Sequence, residues 1–426
     1  MNQFQHDLSQ VSAFDGADAL SKYRKSFHIP IIDGKEVIYF TGNSLGLQPK
    51  GVREAINQEL DDWAKWGVEG HFHAKNPWFS YHELFTAGAA RLVGAKENEV
   101  VLMNGLTVNL HLLLTSFYRP TKARFKILCE KKAFPSDQYA LESQIKLHGL
   151  SLEDALIEVG PREGSDIIAT EDILAAIEAH GDELACVMIG GVNYYSGQVF
   201  DMKTITAAAH KVDAYCGFDL AHAAGNIPMQ LHDWNVDFAC WCTYKYLNSG
   251  PGSISGAFVH ERNGVDKNLP RMAGWWGHDK DERFLMEPGF RPIPGAEGWQ
   301  LSNAPVLAMT AHKVALDLFD EVGMSALREK SLKLSDYLMF EIDRISAKLR
   351  KGRLEIITPR EHDARGSQVS VVAHGFGKAL FDQLTKEGVI ADWREPNVIR
   401  MAPVPFYNSF EDIYRFAEIL EAACEA

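Results

Sequence analysis

The sequence predicts an α/β protein with a mostly parallel sheet, followed by a smaller α+β domain. In the middle of the chain, short apolar runs alternate with stretches of helical periodicity, which is the pattern of βα units. From about Ala304 this alternation gives way to one long helical stretch that reaches Leu349 and is followed by strands. The chain has 426 residues, which is too long for one compact core, so we expect separate domains.

The central region contains the predicted strands and helices of the large sheet. The strands are short apolar segments: Val100–Met103, Lys126–Cys129, Cys186–Gly190, Tyr215–Asp219, Phe238–Cys242 and Gly256–His260. The helices lie between them, near Val108–Tyr118, Ser136–Leu147, Thr170–Ala179 and Met202–Val212. Thr170 is predicted to cap the third of these helices, because it precedes a run of apolar residues at helical spacing.

The C-terminal region is predicted to form a domain of its own. Strands are expected around 354–358 and 369–373. Ser409 and Asp412 form a capping-box pattern that opens an amphipathic final helix. We therefore divide the chain into an N-terminal arm (1–50), a large domain (51–303) and a small domain (304–426).

Composition and charge disfavour several classes of protein. The formal net charge of −14 argues against a nucleic-acid partner, because a phosphate backbone requires clustered Lys and Arg side chains. No secretory signal and no membrane-spanning apolar run is recognisable. The six cysteines lack a CxxC pair or zinc-ligand spacing, and the His71–His73 pair lacks a third ligand. We expect reduced thiols, no metal, no membrane association and a cytoplasmic location.

Asp219, His222 and Lys245 form the strongest local group of candidate catalytic residues. Asp219 closes one predicted strand and Lys245 follows the next, and ligands of open α/β sheets gather at the carboxyl ends of strands. A lysine there could form a Schiff base, and an aspartate could keep a pyridinium nitrogen protonated, as pyridoxal phosphate requires. The alternative is a strand cap and a solvated lysine.

Two turns could hold the phosphate and the ring of such a cofactor. The segment from Asn104 to Thr107 follows a strand and opens a helix, so its N–H groups and the Thr107 hydroxyl could bind a phosphate. The segment Phe134–Asp137 is similar, and Phe134 could stack on an aromatic ring. Either segment could equally be an ordinary capped helix start.

Arg400 ends a short apolar strand and could hold a substrate carboxylate with both arms of its guanidinium. The alternative is a surface arginine at a strand end.

Placed in order, nine segments of the chain resemble the kynureninase family, a group of fold-type I pyridoxal-phosphate enzymes related to class-V aminotransferases. The segments lie between about residue 40 and the C-terminal region, and they are Asn43–Gly46, Gly70–His73, Leu106–His111, Phe134–Asp137, Gly217–His222, Thr243–Tyr246, Gly274–His278, Leu301–Asn303 and Arg394–Ser409. The resemblance implies an aspartate-aminotransferase-like large domain, pyridoxal 5'-phosphate as cofactor and a homodimer with composite active sites.

The resemblance also implies how the cofactor is held. Leu106 and Thr107 would contact its phosphate, Phe134 would stack on its ring, and Asp137 would belong to its surroundings. Trp275 and Asn303 would complete the phosphate pocket from the partner subunit.

The remaining implied roles concern the reaction. Asp219 would pair with the pyridine nitrogen beside His222, Lys245 would carry the Schiff base, and Tyr244 would act as a late acid. The residues implied to face the substrate are Ser44, His71, Asn303 and Arg400.

The implied reaction is hydrolysis of L-kynurenine, or of its 3-hydroxy form, to an anthranilate and L-alanine. One departure from the family concerns Gly190, which stands where relatives often have Ser or Thr and offers no side-chain hydrogen bond. Two alternatives stay open: a cysteine desulfurase, which requires an exposed nucleophilic Cys on a mobile loop, and an inactive relative that acts as a scaffold.

Overall fold

The structure is a computed structural model, and it describes residues 4–425. The chain divides into two compact units, of which the larger consists of Val52–Gly191 and Phe200–Glu321. The smaller unit consists of the chain up to Gly51, the segment Val192–Val199 and the chain from Val322 onward. This division places the N-terminal arm and the C-terminal region in one unit. The predicted division, with boundaries at residues 50/51 and 303/304, keeps them separate.

The strands and helices follow in chain order. The strands are β1 (Ile31–Ile32), β2 (Lys35–Glu36), β3 (Ile38–Tyr39), β4 (Val100–Met103), β5 (Lys126–Glu130), β6 (Leu156–Val159), β7 (Leu184–Gly190), β8 (Tyr215–Asp219), β9 (Phe238–Cys242), β10 (Ser255–Val259), β11 (Arg353–Ile356), β12 (Val369–His374), β13 (Val389–Ile390), β14 (Asp392–Arg394) and β15 (Val398–Met401). The α-helices are α1 (Leu8–Ala17), α2 (Val52–Trp66), α3 (Gly70–His73), α4 (Thr86–Val93), α5 (Leu106–Phe117), α6 (Pro135–Leu147), α7 (Leu152–Ala155), α8 (Thr170–Ala179), α9 (Met202–Lys211), α10 (Glu261–Gly264), α11 (Val306–Val322), α12 (Met324–Ser346), α13 (Lys378–Lys386) and α14 (Phe410–Glu425).

The larger unit is built on a seven-stranded sheet with the order β4-β10-β9-β8-β7-β5-β6. The neighbours from β9 to β6 run parallel, whereas β10 runs antiparallel to both β9 and β4. All six predicted strands are present, and the mostly parallel sheet is confirmed. Strand β6 was not predicted, because its side chains are only partly buried and its apolar run is short.

The helices α5, α6, α8 and α9 coincide with the four that the sequence predicts. The rings of Phe117 in α5 and Phe238 in β9 stack with their centroids 4.5 Å apart inside the core of this unit. The prediction for Thr170 was wrong: Ala169 occupies the cap position of α8 and makes no side-chain cap hydrogen bond. The helix therefore begins one residue earlier than a Thr170 cap requires, with acidic Glu171 and Asp172 in its first turn.

The smaller unit contains a four-stranded sheet with the order β11-β12-β15-β14, and all of its pairs are antiparallel. Helices α12 and α14 cover this sheet through a core that includes Leu338, Ile342, Val371, Ile399 and Phe416. Burying aliphatic and aromatic side chains of this size contributes roughly 1.5–3 kcal/mol each.

Two further predictions for the C-terminal region have different outcomes. The capping box at the start of α14 is confirmed, because Asp412 N donates to Ser409 Oγ at 3.1 Å and Ser409 N donates to Asp412 Oδ2 at 3.2 Å. The prediction of a single long helical stretch was wrong: α11 and α12 are separated at Gly323, whose φ of 78° is incompatible with a continuous right-handed helix.

Among residues 4–425, the structure contains no helix that is both long enough and apolar enough to cross a lipid bilayer.

Candidate active site

The candidate site lies at the carboxyl edge of the seven-stranded sheet. Strands β8 and β9 are parallel neighbours, and Asp219 lies opposite Cys240 in their register. Asp219 is the last residue of β8, and Lys245 follows the end of β9 by three residues. Parallel neighbours end on the same side of a sheet, so their terminal polar residues lie in one crevice.

Lys245 is buried and contacts two of the predicted site residues. Its Nζ atom is 2.9 Å from His222 Nε2 and 5.5 Å from the centroid of the Phe134 ring. His222 is buried as well, whereas Phe134 is 39% exposed and could accept a stacked partner. A lysine amine that is held in place inside the protein can act as a nucleophile or as a base.

Asp219 and Asp137 form a buried pair of carboxyl groups. Burial raises the pKa of Asp219, although the Ala221 N–H, which donates to Oδ1 at 2.7 Å, and the Lys245 charge oppose that shift. The pKa of Asp137 is raised well above its usual value by burial, by the charges of Asp219 and Glu130, and by its hydrogen bond to Asp219. Two neighbouring buried carboxyl groups do not both ionise readily, which is why the pKa of Asp137 lies well above its usual value.

Glu130 is a third buried carboxyl group that sequence reasoning missed. It is the last residue of β5, and its two oxygens accept the Gly190 N–H at 3.1 and 3.3 Å. Burial raises its pKa to about 7, and the charge of Asp219 adds to that shift. The signal that could have found Glu130 is an acidic residue closing an apolar strand, which is the same signal that identified Asp219.

Helices α5 and α6 begin close together and could hold a phosphate. Thr107 Oγ1 and Ser136 Oγ are 2.7 Å apart, and neither helix start has a side-chain cap. The first N–H groups of a helix that lacks a cap remain available to an anion. At Gly105 a β-carbon would meet no heavy atom within 4 Å, so this approach is open.

Tyr244 immediately precedes Lys245 in the chain, and its side chain is half-buried. Burial, together with its hydrogen bond to Cys242, raises the pKa of the Tyr244 phenol above its usual value. The phenol therefore keeps its proton across the physiological range.

Trp275, Asn303 and His71 also belong to the larger unit. Trp275 is 48% exposed and donates from Nε1 to the Arg283 carbonyl at 3.0 Å. Asn303 is exposed, and His71 Nδ1 is 2.9 Å from the Val68 carbonyl. Their roles toward a cofactor or substrate stay predictions.

Ser44 and Arg400 belong to the smaller unit. Ser44 is exposed in a turn, where its N–H donates to the Thr41 carbonyl at 2.8 Å. Arg400 is only 1% exposed, and its guanidinium donates to Asp392 Oδ2 at 2.6 Å and to the Tyr194 carbonyl. The alternative of a surface arginine is therefore wrong, while the substrate role stays a prediction.

The cysteines show no activated thiol among residues 4–425. Cys129, Cys186, Cys216, Cys240 and Cys242 are buried, and burial raises the pKa of each. Cys424 in α14 is partly buried, and its pKa is raised to about 11. Reactive cysteines require a lowered pKa and access to solvent; none of these thiols has a lowered pKa, and five of the six are buried.

Known proteins resemble this chain over almost all of its length. A kynureninase from Flavobacterium psychrophilum is 57% identical over 98% of both chains, and one from Myxococcus xanthus is 54% identical over 98% of this chain and 97% of its own. Residues 327–420 match the family model of the kynureninase C-terminal domain.

Solved structures of lower identity share the fold. A cysteine desulfurase from Thermococcus onnurineus superposes with a TM-score of 0.75 at 18% identity, covering 95% of this chain and 98% of that one. A cysteine desulfurase from Escherichia coli gives 0.76 at 14% identity over the same shares. These similarities confirm the predicted fold class, a large, mostly parallel sheet of the pyridoxal-phosphate fold type I with a smaller C-terminal α+β region.

Proposed function

The chain belongs to the kynureninase family, and we propose that it hydrolyses the Cβ–Cγ bond of L-kynurenine or of its 3-hydroxy form. The products are an anthranilate and L-alanine, and the cofactor is pyridoxal 5'-phosphate. One observation carries the proposal: a buried lysine amine lies 2.9 Å from His222 Nε2 at the carboxyl edge of the sheet, in a chain 57% identical to a kynureninase over 98% of its length.

The residues around Lys245 fit this cofactor. Leu106 and Thr107 would hold its phosphate, because the α5 start lacks a side-chain cap and the Thr107 hydroxyl lies against Ser136. Phe134 would stack on the ring, and the buried Asp219 carboxylate requires a cationic partner such as a ring N–H. When bound, the cofactor supplies an electron sink for negative charge that develops on the substrate.

Three side chains would hold and move the protons of the reaction. Lys245 Nζ would take the proton from the substrate Cα, with His222 beside it to hold the amine in place. Tyr244 would give its proton to Cβ after the Cβ–Cγ bond has broken, since its raised pKa keeps the phenol protonated until that step. Asp137 would donate its own hydrogen bond to Asp219 and thereby keep that carboxylate in one orientation.

Ser44, His71, Asn303 and Arg400 are proposed to bind the substrate. Arg400 would bind the α-carboxylate, for which a planar guanidinium is suited because it can donate two parallel hydrogen bonds. Its ion pair with Asp392 would hold the guanidinium in a fixed orientation. Fixing the carboxylate aligns the Cα–H bond for proton removal.

The protein is also proposed to act as a homodimer in which Trp275 and Asn303 reach the partner's site. An aromatic surface supports this proposal: Phe72, Trp275, Phe284, Leu285 and Met286 are all exposed, and the Phe79 ring stacks on both Phe72 and Phe284. Apolar surface of this extent marks interaction sites on many proteins. The cytoplasmic location stays a prediction.

Mixing two inactive variants tests the shared site. Lys245→Ala and Asn303→Ala should each be inactive alone, and subunit exchange should restore about a quarter of wild-type activity, since half of the dimers are mixed and each carries one intact site. Exchange of Lys245→Ala with a Lys245→Ala, Asn303→Ala double variant is the control. Two inactive variants that never regain activity after verified exchange would contradict the shared site.

The function itself is tested by incubating the protein, loaded with pyridoxal phosphate, with L-kynurenine and with 3-hydroxy-L-kynurenine. Release of the matching anthranilate together with alanine in equal amounts is the expected result, and Lys245→Ala provides the blank. Conversion of L-cysteine with release of sulfur, in the absence of any anthranilate, would instead support a desulfurase. The raised thiol pKa values of the buried cysteines argue against that outcome.

A further inference from the structure

Glu59 is a buried carboxylate that no step proposed above uses. It lies in α2 and is only 1% exposed. Three neutral side chains donate to it: Trp78 Nε1 to Oε2 at 2.8 Å, Asn76 Nδ2 to Oε1 at 2.9 Å and the Tyr81 hydroxyl to Oε1 at 3.3 Å. Hydrogen bonds to a charged acceptor are stronger than neutral ones. One carboxylate thus connects α2 to the segment that follows α3.

Trp78 in that segment packs directly against α3. A β-carbon on Gly70, the first residue of α3, would collide with Cη2 and Cζ3 of the Trp78 ring. Gly70 is buried, and its lack of a side chain is what allows the indole to approach its backbone. Because the indole N–H is donated to Glu59, the carboxylate fixes how this ring lies on α3.

The same indole contacts the ring of His71. The two centroids are 5.6 Å apart and the interplanar angle is 78°, which is an edge-to-face arrangement. His71 Nδ1 is 2.9 Å from the Val68 carbonyl oxygen. A carbonyl oxygen can only accept, so Nδ1 carries the hydrogen and a neutral His71 has its lone pair on Nε2. The indole and the carbonyl together fix the orientation and the tautomer of this imidazole.

We propose that Glu59 is a positioning residue for His71 and acts through Trp78. By holding the indole against Gly70 and against the imidazole, Glu59 keeps His71 in one orientation, with Nε2 free to accept a hydrogen bond from the substrate. This inference rests on the proposed substrate role of His71. It assigns to Glu59 no contact with substrate or cofactor.

Three substitutions interrupt this chain of contacts to different degrees. Glu59→Ala removes all three hydrogen bonds. Trp78→Phe removes only the indole N–H and keeps an aromatic ring beside Gly70. Glu59→Gln is the conservative variant: its amide oxygen can still accept the Trp78 N–H, while Asn76 and Tyr81 can accept from its NH₂ group. Glu59→Gln should therefore retain most of the wild-type behaviour.

The first measurement is the tautomer of His71 in the holoenzyme, by NMR of protein labelled with ¹⁵N-histidine at about pH 8, above the usual pKa of histidine. His71→Asn identifies the signals, because they disappear in that variant. In the wild type and in Glu59→Gln we expect the form that carries its hydrogen on Nδ1. In Glu59→Ala the form with the hydrogen on Nε2 should become at least as abundant, because the ring is no longer held against the Val68 carbonyl.

The second measurement is steady-state turnover of L-kynurenine, followed by release of anthranilate. Glu59→Ala should raise KM about 10-fold and leave kcat within about threefold, as expected when binding shared by the ground state and the transition state is lost. Trp78→Phe should raise KM by about threefold, because it removes one hydrogen bond and keeps the ring. The affinity for pyridoxal phosphate should not change, since His71 is proposed to bind substrate alone.

Glu99→Ala is the matched control. Glu99 is also a buried carboxylate of the larger unit, and it accepts the backbone N–H groups of Lys96 and Glu261, each at 2.8 Å. This substitution should lower the melting temperature as Glu59→Ala does, but it should leave the His71 tautomer and KM unchanged. A purely structural role of Glu59 predicts the same result for both substitutions.

Three results would overturn the proposal. The first is a wild-type His71 with its hydrogen on Nε2, which is measured without any variant of Glu59. The second is a Glu59→Ala protein whose His71 tautomer or KM equals that of the wild type; if this variant fails to fold, Trp78→Phe decides by the same two measurements. The third is an equal change in Glu99→Ala. A wild-type protein that releases no anthranilate contradicts the proposed function instead, and the tautomer comparison, which needs no turnover, still decides whether Glu59 positions His71.

Discussion

The two units differ in how they neutralise their buried charges. At the carboxyl edge of the seven-stranded sheet, Glu130, Asp137 and Asp219 are all buried, and burial raises the pKa of all three carboxyl groups. In the smaller unit, buried charges come in matched pairs: Arg400 with Asp392 at 2.6 Å, Lys330 with Asp18 at 2.7 Å and Arg344 with Glu341 at 2.7 Å.

The difference separates a binding site from a structural network. In a matched ion pair, each charge is neutralised by its partner inside the protein. Such a pair needs no ligand, and it mainly connects the helices or strands that carry its two residues. A group of carboxyl groups in excess over cations is unfavourable in the isolated protein, and it is stabilised when a cationic ligand binds. The proposed ring nitrogen of pyridoxal phosphate is such a ligand.

Removal of Lys245 should have the largest effect. Lys245→Ala should lower kcat/KM for L-kynurenine by more than about 10⁴-fold, because one residue supplies both the attachment point and the proton carrier. The melting temperature should stay within a few degrees of wild type. Exposed Lys203 in α9 provides the control, and Lys203→Ala should be fully active. A Lys245→Ala protein with wild-type turnover and visible absorbance would contradict the assignment.

In the smaller unit, substitution of Arg400 should lower both the activity and the stability of the protein. Arg400→Ala should lower kcat/KM by roughly a hundred- to several-thousand-fold, which corresponds to a loss of about 3–5 kcal/mol of transition-state binding. It should also destabilise the fold, because Asp392 loses one of its two arginine partners and keeps only Arg394. Arg400→Lys should recover only part of the activity, since an ammonium group lacks the planar fork.

Arg365 is the matched control for Arg400, because it is also buried and is paired with Asp336. Arg365→Ala should lower the free energy of unfolding without a comparable change in kcat/KM of the protein that remains folded. Both variants are measured by kcat/KM and by urea unfolding. Equal losses of kcat/KM would contradict a substrate-binding role for Arg400 that Arg365 lacks.

Substitution of Asp219 should weaken cofactor binding more than it lowers the free energy of unfolding. Asp219→Asn should raise the dissociation constant of pyridoxal phosphate by about 10²-fold, because a buried charge pair is lost. Asp237 provides the comparison: burial raises its pKa, but His210 and Arg262 lower it further, so its charge is already matched. Asp237→Asn should reduce stability and leave the cofactor affinity unchanged. The reverse pattern would mean that Asp219 only caps its strand.

Glu130 should also control the pH dependence of stability of the cofactor-free protein. Burial raises the pKa of Glu130 to about 7 from a usual value of 4.5, so the folded state holds a proton that the unfolded chain has lost. The corresponding stability is complete below pH 4.5 and is lost as the pH rises to about 7, on the order of 3 kcal/mol in total. Glu130→Gln should flatten this part of the curve of unfolding free energy against pH. An unchanged slope would show that Glu130 ionises alike in both states.

Much of the fold and part of the site could be predicted from local sequence. Six of the seven strands of the large sheet coincide with predicted apolar runs, and the capping box of Ser409 and Asp412 forms as expected, because these features depend on neighbours in the chain. Asp219 and Lys245 could be found because each follows the end of a strand. The family could be recognised because nine short segments occur in one order.

Other features depended on distances that only the tertiary structure decides. Strand order brings Glu130 to Gly190 and hence to Asp219, and it brings Thr107 to Ser136, although no local pattern connects either pair. Arg400 is buried beside Asp392 because β14 and β15 pair in one register. The pKa values of the carboxyl groups follow from burial and from charges through space, so residue type alone could not predict them. The sequence by itself determined the local elements and the chemical groups at their ends, whereas folding determined which of those groups are buried beside one another.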